Sequence, residues 1–404
     1  MDTFAEVIDR TTMDELRARG SWKWTAGGPG VIGAFVAEMD FGVAPPVEAA
    51  LLDTIRRADF GYLTERAVAE MADACARWQR DRYGWEVDPE RIRPLPDVIT
   101  GLTAAITVFS RPGSPVILPT PAYMPFLTYP RSAGREIIQV PMVSDGARHV
   151  LDIDGIDAAF KRGGHLLVLC NPCNPVGRVY SRDELLAVAE VTEANGGRVF
   201  ADEIHAPLTY PGYPHIPYAS VSPAAAAHAV TGVAASKGWN LPGLKFAQLL
   251  LSNDADAAAW AERGFTFEHG ASTPGAWATI AAYREGGPWL DDVVAYLGRN
   301  RALLAALLAE HLPQVGFLAP EGTYLAWLDC RALAAGRGYL PGERPGRATG
   351  GASPADFFLA EAQVMLTDGA ACGEGGGGHV RLNFATPRPV LAEIVRRMAA
   401  AAGG

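Results

Sequence analysis

Four side chains that can take part in chemistry each stand shortly after an apolar segment of the sequence. They are an aromatic ring, an amide, a carboxylate and an amine, supplied by Tyr123, Asn174, Asp202 and Lys237. A lysine amine can form a Schiff base with an aldehyde, and a carboxylate can keep a pyridine nitrogen protonated so that its ring accepts electrons. An aromatic side chain can stack on that ring, and an amide can donate to its phenolic oxygen. The set predicts a site for pyridoxal 5'-phosphate.

The elements expected to position these side chains are the strands of a parallel sheet. Short apolar segments alternate with helical patterns along the chain, which is typical of βαβ units. Ligands of such a sheet bind beyond the carboxyl ends of its strands, so residues far apart in sequence converge there. The strand candidates are 116–118, 165–170, 198–201 and 229–235, and the helical stretches include 46–58, 66–82, 98–110, 183–195 and 289–310.

The phosphate of this cofactor needs backbone N–H groups at a helix start, together with cations. The helix that opens after Asp97 can supply the first, and Ser236 with Lys245 can supply the rest. Taken alone, each residue has a structural alternative: Asp202 as a helix cap, Asn174 as a turn former, either lysine as a solvated side chain. Their order at successive strand ends favours the cofactor site.

The composition limits both the partners and the chemistry. The chain has 404 residues, with 35 basic and 45 acidic side chains and a formal net charge of −10. This charge argues against nucleic acid or an anionic membrane surface as the main partner. Amines are scarce because only four of the basic residues are lysines: Lys23, Lys161, Lys237 and Lys245.

The N-terminal sequence and the cysteines predict a cytoplasmic protein. Acidic residues interrupt the first fifteen positions, so no signal peptide is expected, and no apolar stretch reaches the ~20 residues of a membrane span. Five cysteines, an odd number over a long chain, predict reduced thiols. Cys170 and Cys173 have no second pair or histidine cluster near them in the sequence, so we expect no metal site.

Motifs from about residue 20 to residue 395 carry a family resemblance. They are NPCNPVG, DEIH, SKGWNLPGLK, AEMDF (37–41), FGY (60–62), EGTYLAWLD (321–329) and HVRLNFA (379–385). With them the sequence resembles the class I/II aminotransferase-fold enzymes, and among these the cystathionine β-lyase branch of MalY/PatB-type C–S lyases. The histidine of DEIH, where most aminotransferases have a tyrosine, is typical of this branch.

The resemblance implies an α/β protein with the fold type I of pyridoxal-phosphate-dependent transferases. A large domain, 45–285, is expected to contain a mostly parallel seven-stranded sheet flanked by helices. A smaller α/β domain is expected to combine an N-terminal arm, 1–44, with 286–404. The hydrophilic loop 338–354 is expected to be a surface insertion rather than a mobile lid over the site.

The resemblance also implies roles for the matching residues. Lys237 holds the cofactor covalently and afterwards moves protons at the substrate Cα, and Tyr123 and Tyr62 join it as catalytic residues. Arg381 binds the substrate α-carboxylate with its planar fork, beside Asn174. Tyr62 reaches the phosphate of the neighbouring subunit, which implies a homodimer with a shared active site. The other implied cofactor contacts are Asp202 at the pyridine nitrogen, Asn174 and His205 near the phenolic oxygen, Tyr123 on the ring, and Val98, Ile99, Ser236 and Lys245 at the phosphate.

The chain departs from the family pattern at positions that bear on the substrate. SKGWN stands in place of the usual SKTFN, and Met124 replaces an aromatic residue in AYMPF. We therefore expect Trp239 and Met124 to line the substrate side of the site. Asp97 stands where the family has a glycine before the phosphate-binding helix, and an acid there is unfavourable unless it caps the helix or points away.

The activity that the resemblance implies is α,β-elimination from an L-cysteine S-conjugate, either cystathionine-like or bulkier, to thiol, pyruvate and ammonia. Decarboxylation-coupled oxidative deamination of an S-substituted cysteine to an aldehyde, as in natural-product enzymes of this fold, stays open, and so does transamination. Which bond at Cα breaks depends on its angle to the cofactor ring, and no linear motif reports that angle. A non-enzymatic role as a partner of a transcription regulator is the alternative of another class.

Overall fold

The computed structural model of the protein describes residues 3–335 and 353–403. The loop predicted at 338–354 lies outside the described residues except for its last two positions. The strands are β1 (Ile32–Gly33), β2 (Ile92–Leu95), β3 (Val116–Thr120), β4 (Ile137–Pro141), β5 (Val143–Ser144), β6 (His149–Val150), β7 (Leu166–Cys170), β8 (Arg198–Asp202), β9 (Ala229–Val233), β10 (Ala247–Leu251), β11 (Gly316–Phe317), β12 (Leu325–Asp329), β13 (Val364–Met365), β14 (Thr367–Asp368) and β15 (His379–Asn383).

Helices connect most of these strands and cover the sheets. They are α1 (Phe4–Asp9), α2 (Met13–Ala18), α3 (Trp22–Thr25), α4 (Pro45–Arg56), α5 (Glu65–Tyr83), α6 (Val98–Ala104), α7 (Tyr129–Ser132), α8 (Ile153–Lys161), α9 (Arg182–Ala194), α10 (Pro223–His228), α11 (Ala235–Gly238), α12 (Asp254–Arg263), α13 (Phe265–Glu268), α14 (Thr273–Glu285), α15 (Gly287–His311), α16 (Arg331–Ala335), α17 (Pro354–Ala362) and α18 (Arg388–Ala402). In the described part of the chain, none of them combines the length and hydrophobicity needed to cross a membrane.

The large sheet has seven strands in the order β2-β10-β9-β8-β7-β3-β4. The neighbours β9-β8-β7-β3-β4 pair in parallel, and β10 runs antiparallel to both of its neighbours. The mostly parallel seven-stranded sheet predicted from the resemblance is thus confirmed. Because the strands of such a sheet share one carboxyl edge, the loops that follow β3, β7, β8 and β9 meet there.

Both faces of this sheet are buried, and the alternation of side chains along each strand explains why the apolar segments are continuous. In β3, Val116 and Leu118 join a cluster that includes Trp260 of α12. Ile117, between them, points to the opposite face and joins a cluster that includes Ile156 of α8. Successive residues of a strand point to opposite faces, so a strand that is covered on both sides needs no polar position.

A second, antiparallel sheet is built by the C-terminal part of the chain in the order β11-β12-β15-β14. Near it, β1 of the N-terminal arm pairs in parallel with β13, so the two ends of the chain are joined. The division into a large domain (45–285) and a small domain (1–44 with 286–404) corresponds to this change of sheet and stays a prediction.

The predicted strand 229–235 ends earlier in the structure. β9 stops at Val233, and Ala235 begins the one-turn helix α11, which carries Lys237. A single apolar run cannot distinguish a strand from the first turn of a following helix, since both are buried here.

Candidate active site

A cavity lies at the carboxyl edge of the large sheet, at the ends of β3, β7, β8 and β9. Including its open mouth, the space that it encloses is about 820 Å³. It brings together nine residues that the sequence predicts for the cofactor site: Val98, Ile99, Tyr123, Asn174, Asp202, His205, Ser236, Lys237 and Lys245.

Lys237 is held by a backbone carbonyl that comes from the N-terminal arm. Its Nζ donates to the carbonyl oxygen of Ala37 at 2.9 Å. Burial, helped by the positive charge of Arg381, lowers the pKa of the Lys237 amine to about 8, although Glu38 and Asp202 oppose the shift. A half-buried lysine with this pKa has a neutral fraction near neutral pH, as a nucleophile or a proton acceptor requires.

Asp202 is the last residue of β8, and its carboxylate is buried in the cavity wall. Its Oδ1 accepts a hydrogen bond from the backbone N–H of Ile204 at 3.0 Å. Burial nevertheless raises the pKa of Asp202 to about 7. A cation placed beside this carboxyl group would stabilise its ionised form, and a protonated pyridine nitrogen is such a cation.

Arg381 of β15 and Asn174 of the loop after β7 form the link between the two sheets at the cavity. Nη1 of Arg381 donates to Oδ1 of Asn174 at 2.9 Å. Nη2 donates to the carbonyl oxygen of Phe35 at 2.7 Å and to Oγ1 of Thr367 at 3.1 Å. The guanidinium is buried and fixed by neutral acceptors, so its charge stays available to an anionic ligand such as a carboxylate.

His205 and Tyr123 form further parts of the wall. His205 is buried, and its Nδ1 has no hydrogen-bond partner among the residues the structure describes. Burial and the charges of Lys237 and Arg381 lower the pKa of His205 far below its ordinary value, so the ring is neutral. Burial raises the pKa of Tyr123, which packs edge-on against Phe126 with 5.5 Å between ring centroids.

The far end of the cavity is formed by the start of α6 and by Lys245. Val98 and Ile99 are the first residues of this helix, and Asp97 is its N-cap residue. Oδ1 of Asp97 accepts from the backbone N–H of Thr100 at 2.8 Å, and Oδ2 lies 3.1 Å from Nζ of Lys245. An acid at this position is tolerated if it caps the helix or points away from it, and Asp97 caps the helix.

Comparison with known proteins identifies the family. The model for aminotransferase class I and II matches residues 36–398. The chain belongs to the aminotransferase class I and II family. A cystathionine β-lyase of Corynebacterium glutamicum is similar to this family member at 38% identity over 387 residues, which covers 96% of the chain and 98% of the relative.

Two further relatives agree with this assignment. The cystathionine β-lyase PatB of Bacillus subtilis is 33% identical over 374 residues, which covers 91% of each chain. The solved structure of a PLP-bound C–S lyase from Staphylococcus hominis superimposes on this family member with a TM-score of 0.87, at 26% identity and with 99% of each chain covered.

The cavity of this aminotransferase class I and II protein fits pyridoxal phosphate on its own chemistry. An amine with a lowered pKa, a buried carboxyl group with a raised pKa and an imidazole nitrogen without a hydrogen-bond partner among the described residues line the same space. In the described part of the chain, no group of three or more His, Cys, Asp or Glu side chains is placed to bind a metal ion.

Four predicted residues are not part of the lining of this cavity: Tyr62, Met124, Trp239 and Arg381, of which Arg381 contacts Asn174 of the lining. Tyr62 is 85% exposed and lies in a separate surface depression with Phe265 and His269. A role for Tyr62 in the cavity of a neighbouring subunit stays a prediction. Met124 begins a 3₁₀ turn and packs against the hydrophobic core rather than lining the cavity. The expectation that Met124 contacts the substrate stays a prediction.

The prediction that Trp239 lines the substrate side is corrected by its burial. Its side chain is fully buried, its Nε1 donates to the carbonyl oxygen of Gly286 at 2.9 Å, and its ring packs edge-on against Trp78 and Tyr283. Residues two positions apart on a helical turn point about 200° away from each other. Since Lys237 faces the cavity, Trp239 faces the core behind α11.

The sequence interpretation missed the part that segment 35–39 plays in this family member. The carbonyl oxygen of Ala37 accepts from Tyr324 Oη at 2.9 Å as well as from the lysine. Asn383 donates to the carbonyl oxygens of residues 36 and 38, and Asn240 pairs with both backbone groups of residue 39. The AEMDF motif marked this segment, but its contacts are backbone contacts, which side-chain motifs do not report.

Proposed function

We propose that the protein is a pyridoxal-phosphate-dependent carbon–sulfur lyase acting on an L-cysteine S-conjugate such as L-cystathionine. The observation that carries the proposal is that segment 35–39 contacts both the Lys237 amine, through the carbonyl of Ala37, and the Arg381 fork, through the carbonyl of Phe35. Arg381 also donates to Asn174, which lines the same cavity as Lys237. Relatives named cystathionine β-lyase that match more than nine-tenths of the chain support this activity over others of the same fold.

The cavity offers a partner for each part of the cofactor. Lys237 would hold the aldehyde carbon covalently and Asp202 the pyridine nitrogen, with Tyr123 against the ring. Asn174 and His205 would lie near the phenolic oxygen. The phosphate would be held by Val98, Ile99, Ser236 and Lys245. Bound there, pyridoxal phosphate supplies a ring that accepts the electron pair left at the substrate Cα when its proton is removed.

The protein residues would then divide the work between binding and proton transfer. The Arg381 fork binds the α-carboxylate and so orients the bonds at Cα. The Lys237 amine would take the Cα proton, and its neutral fraction near pH 8 suits this step. The thiolate leaves from Cβ. In sum, L-cystathionine and water give L-homocysteine, pyruvate and ammonia.

We also propose that the working unit is a homodimer located in the cytoplasm. Tyr62, Phe60 and Phe265 are exposed to 85%, 61% and 76%, and they border the same surface depression. Such a cluster suits burial against a second copy, which would bring Tyr62 to the partner's phosphate end. All five cysteines are free thiols, which agrees with a reducing compartment.

The test is a product analysis of the purified holoprotein with L-cystathionine and, separately, with a bulky S-substituted cysteine. Pyruvate and thiol in equal amounts support the lyase, and the Lys237→Ala variant should form neither. Aldehyde with carbon dioxide would replace the proposal with oxidative decarboxylation, and a keto acid that forms only with an amino acceptor would replace it with transamination. In analytical sedimentation, the wild-type protein should be a dimer and the Tyr62→Glu variant should be a monomer.

A further inference from the structure

The Asp97–Lys245 ion pair at the far end of the cavity is a feature that the proposed function does not use. Nζ of Lys245 lies 3.1 Å from Oδ2 of Asp97, and both residues line the cavity. Lys245 is the cation assigned above to the cofactor phosphate. In this chain it already has an anionic partner.

The geometry of the pair is fixed on both sides. Oδ1 of Asp97 accepts from the backbone N–H and from Oγ1 of Thr100, each at 2.8 Å, so that the second oxygen is directed toward the lysine. Lys245 adopts a left-handed backbone conformation, with a φ of 49°, directly after the 3₁₀ turn Pro242–Leu244. Neither residue needs to move for the contact to exist.

Asp97 is ionised at neutral pH. Burial raises its pKa, but the hydrogen bonds from Thr100 and Lys245 outweigh that effect and hold the pKa of Asp97 below its ordinary value. The other charged side chains that line the cavity are Lys237 and Asp202. A phosphate that enters this end therefore meets a carboxylate that shares the cation it needs.

We propose that Asp97 is a positioning residue that competes with the cofactor phosphate for Lys245 and so weakens the non-covalent hold on the cofactor. The inference rests on the proposed function, since it takes pyridoxal phosphate as the cofactor. The proposal implies that bound pyridoxal phosphate exchanges with free pyridoxal phosphate faster than it would if Lys245 had no carboxylate partner.

The size of the effect follows from the exposure of the pair. The side chains of Lys245 and Asp97 are 61% and 40% exposed, so solvent screens their attraction. Removing the carboxylate charge while keeping the cap should tighten phosphate binding about three- to tenfold, a range typical of one partly screened charge near an anion.

The experiment measures affinity rather than turnover. Asp97→Asn and Asp97→Ser both keep a capping oxygen and remove the charge. Apoproteins of wild type and variants are titrated with pyridoxal phosphate, and separately with inorganic phosphate, which binds without a covalent bond. Asp152→Asn is the matched control, because Asp152 caps α8 with the same contact, to Gly155 N at 2.9 Å, outside the cavity.

We expect both Asp97 variants to bind both ligands three- to tenfold more tightly, with slower release of the cofactor, and Asp152→Asn to bind as wild type does. In a Lys245→Ala background, Asp97→Asn should change either affinity less than twofold. Unchanged or weaker binding by variants that melt like wild type would overturn the proposal. So would a gain that persists without Lys245, because it would mean direct repulsion instead of competition. Failure of the wild-type apoprotein to bind pyridoxal phosphate would instead contradict the proposed function.

Discussion

Arg381 donates a hydrogen bond to Asn174 at 2.9 Å across a chain separation of 207 residues. One residue lies on the C-terminal antiparallel sheet, and the other follows a central strand of the large sheet. The contact therefore places a group suited to a carboxylate at a fixed position relative to the cofactor cavity. Under the proposed role of Arg381, substrate orientation depends on how the two sheets meet.

The first prediction concerns the guanidinium fork. Arg381→Lys keeps the charge but removes the two parallel N–H groups that match a carboxylate. We expect KM for L-cystathionine to rise by about 100-fold with a smaller loss in kcat, measured by steady-state pyruvate formation. Arg178→Lys is the control, since Arg178 forks onto Glu321 and Glu184 away from the cavity and should leave KM unchanged. An unchanged KM in Arg381→Lys would remove the carboxylate role.

The second prediction concerns the pH dependence of cofactor attachment. Because burial lowers the pKa of Lys237 to about 8, its amine is protonated and unreactive below that pH. The rate at which the apoprotein captures pyridoxal phosphate should rise about tenfold per pH unit below pH 8 and level off above it. Stopped-flow absorbance measures this rate, and a rise that continues to pH 10 would show an ordinary lysine.

The third prediction concerns the stability of the apoprotein. The pKa of Asp202 is about 7 when folded and 3.8 when unperturbed, so the folded state binds this proton more tightly. Apoprotein stability should therefore fall as the pH rises from about 4 to 7. Asp202→Asn should remove this part of the slope and be more stable than the wild-type apoprotein at pH 8, by roughly 2–4 kcal/mol. Urea unfolding at several pH values measures it, and equal slopes in both proteins would contradict the prediction.

The fourth prediction concerns the anchoring of the N-terminal arm. Nζ of Lys23 contacts Oδ2 of Asp40 at 2.8 Å and the carbonyl oxygen of Ala385 at 3.1 Å, in a buried position. Lys23→Met leaves the buried Asp40 carboxylate without its cation, although Trp24 Nε1 still donates to its Oδ1 at 2.9 Å, and this should cost about 3–5 kcal/mol in the free energy of unfolding. The double variant with Asp40→Leu should recover most of this loss. Chemical denaturation tests both, and a single variant as stable as wild type would refute the prediction.

The fifth prediction follows from the buried position of Trp239. Trp239→Phe loses the hydrogen bond to Gly286 and some volume, so we expect the free energy of unfolding to fall by about 1–3 kcal/mol. The ratio of kcat/KM values for L-cystathionine and a bulky S-conjugate should stay within twofold of wild type. A changed ratio would indicate that Trp239 contacts the substrate after all.

Much of the cavity could be predicted from the sequence because one rule applies to every strand. Apolar runs that are covered on both faces indicate a parallel sheet, and residues after such runs meet at its carboxyl edge. Tyr123, Asn174, Asp202 and Lys237 follow that rule, and all four line the cavity.

The remaining features depend on geometry that a linear pattern does not contain. The turn of α11 between β9 and Lys237 decides that Trp239 points to the core. Ala37 acts through its carbonyl oxygen, which is independent of residue type. The sequence shows that Asp97 departs from the family pattern. Only its hydrogen bond to Thr100 in the structure shows that it caps the helix and is not simply an exposed acid.

Segment 35–39 has a consequence for how the protein is made. Its carbonyl at residue 35 is bound by Arg381, 346 positions later in the chain, and the carbonyls at 36 and 38 are bound by Asn383. During synthesis the ribosome must release the last strand, β15, before this segment can take its place beside Lys237. The carbonyl partner of Lys237 therefore depends on a strand that is synthesised more than a hundred residues after the lysine itself.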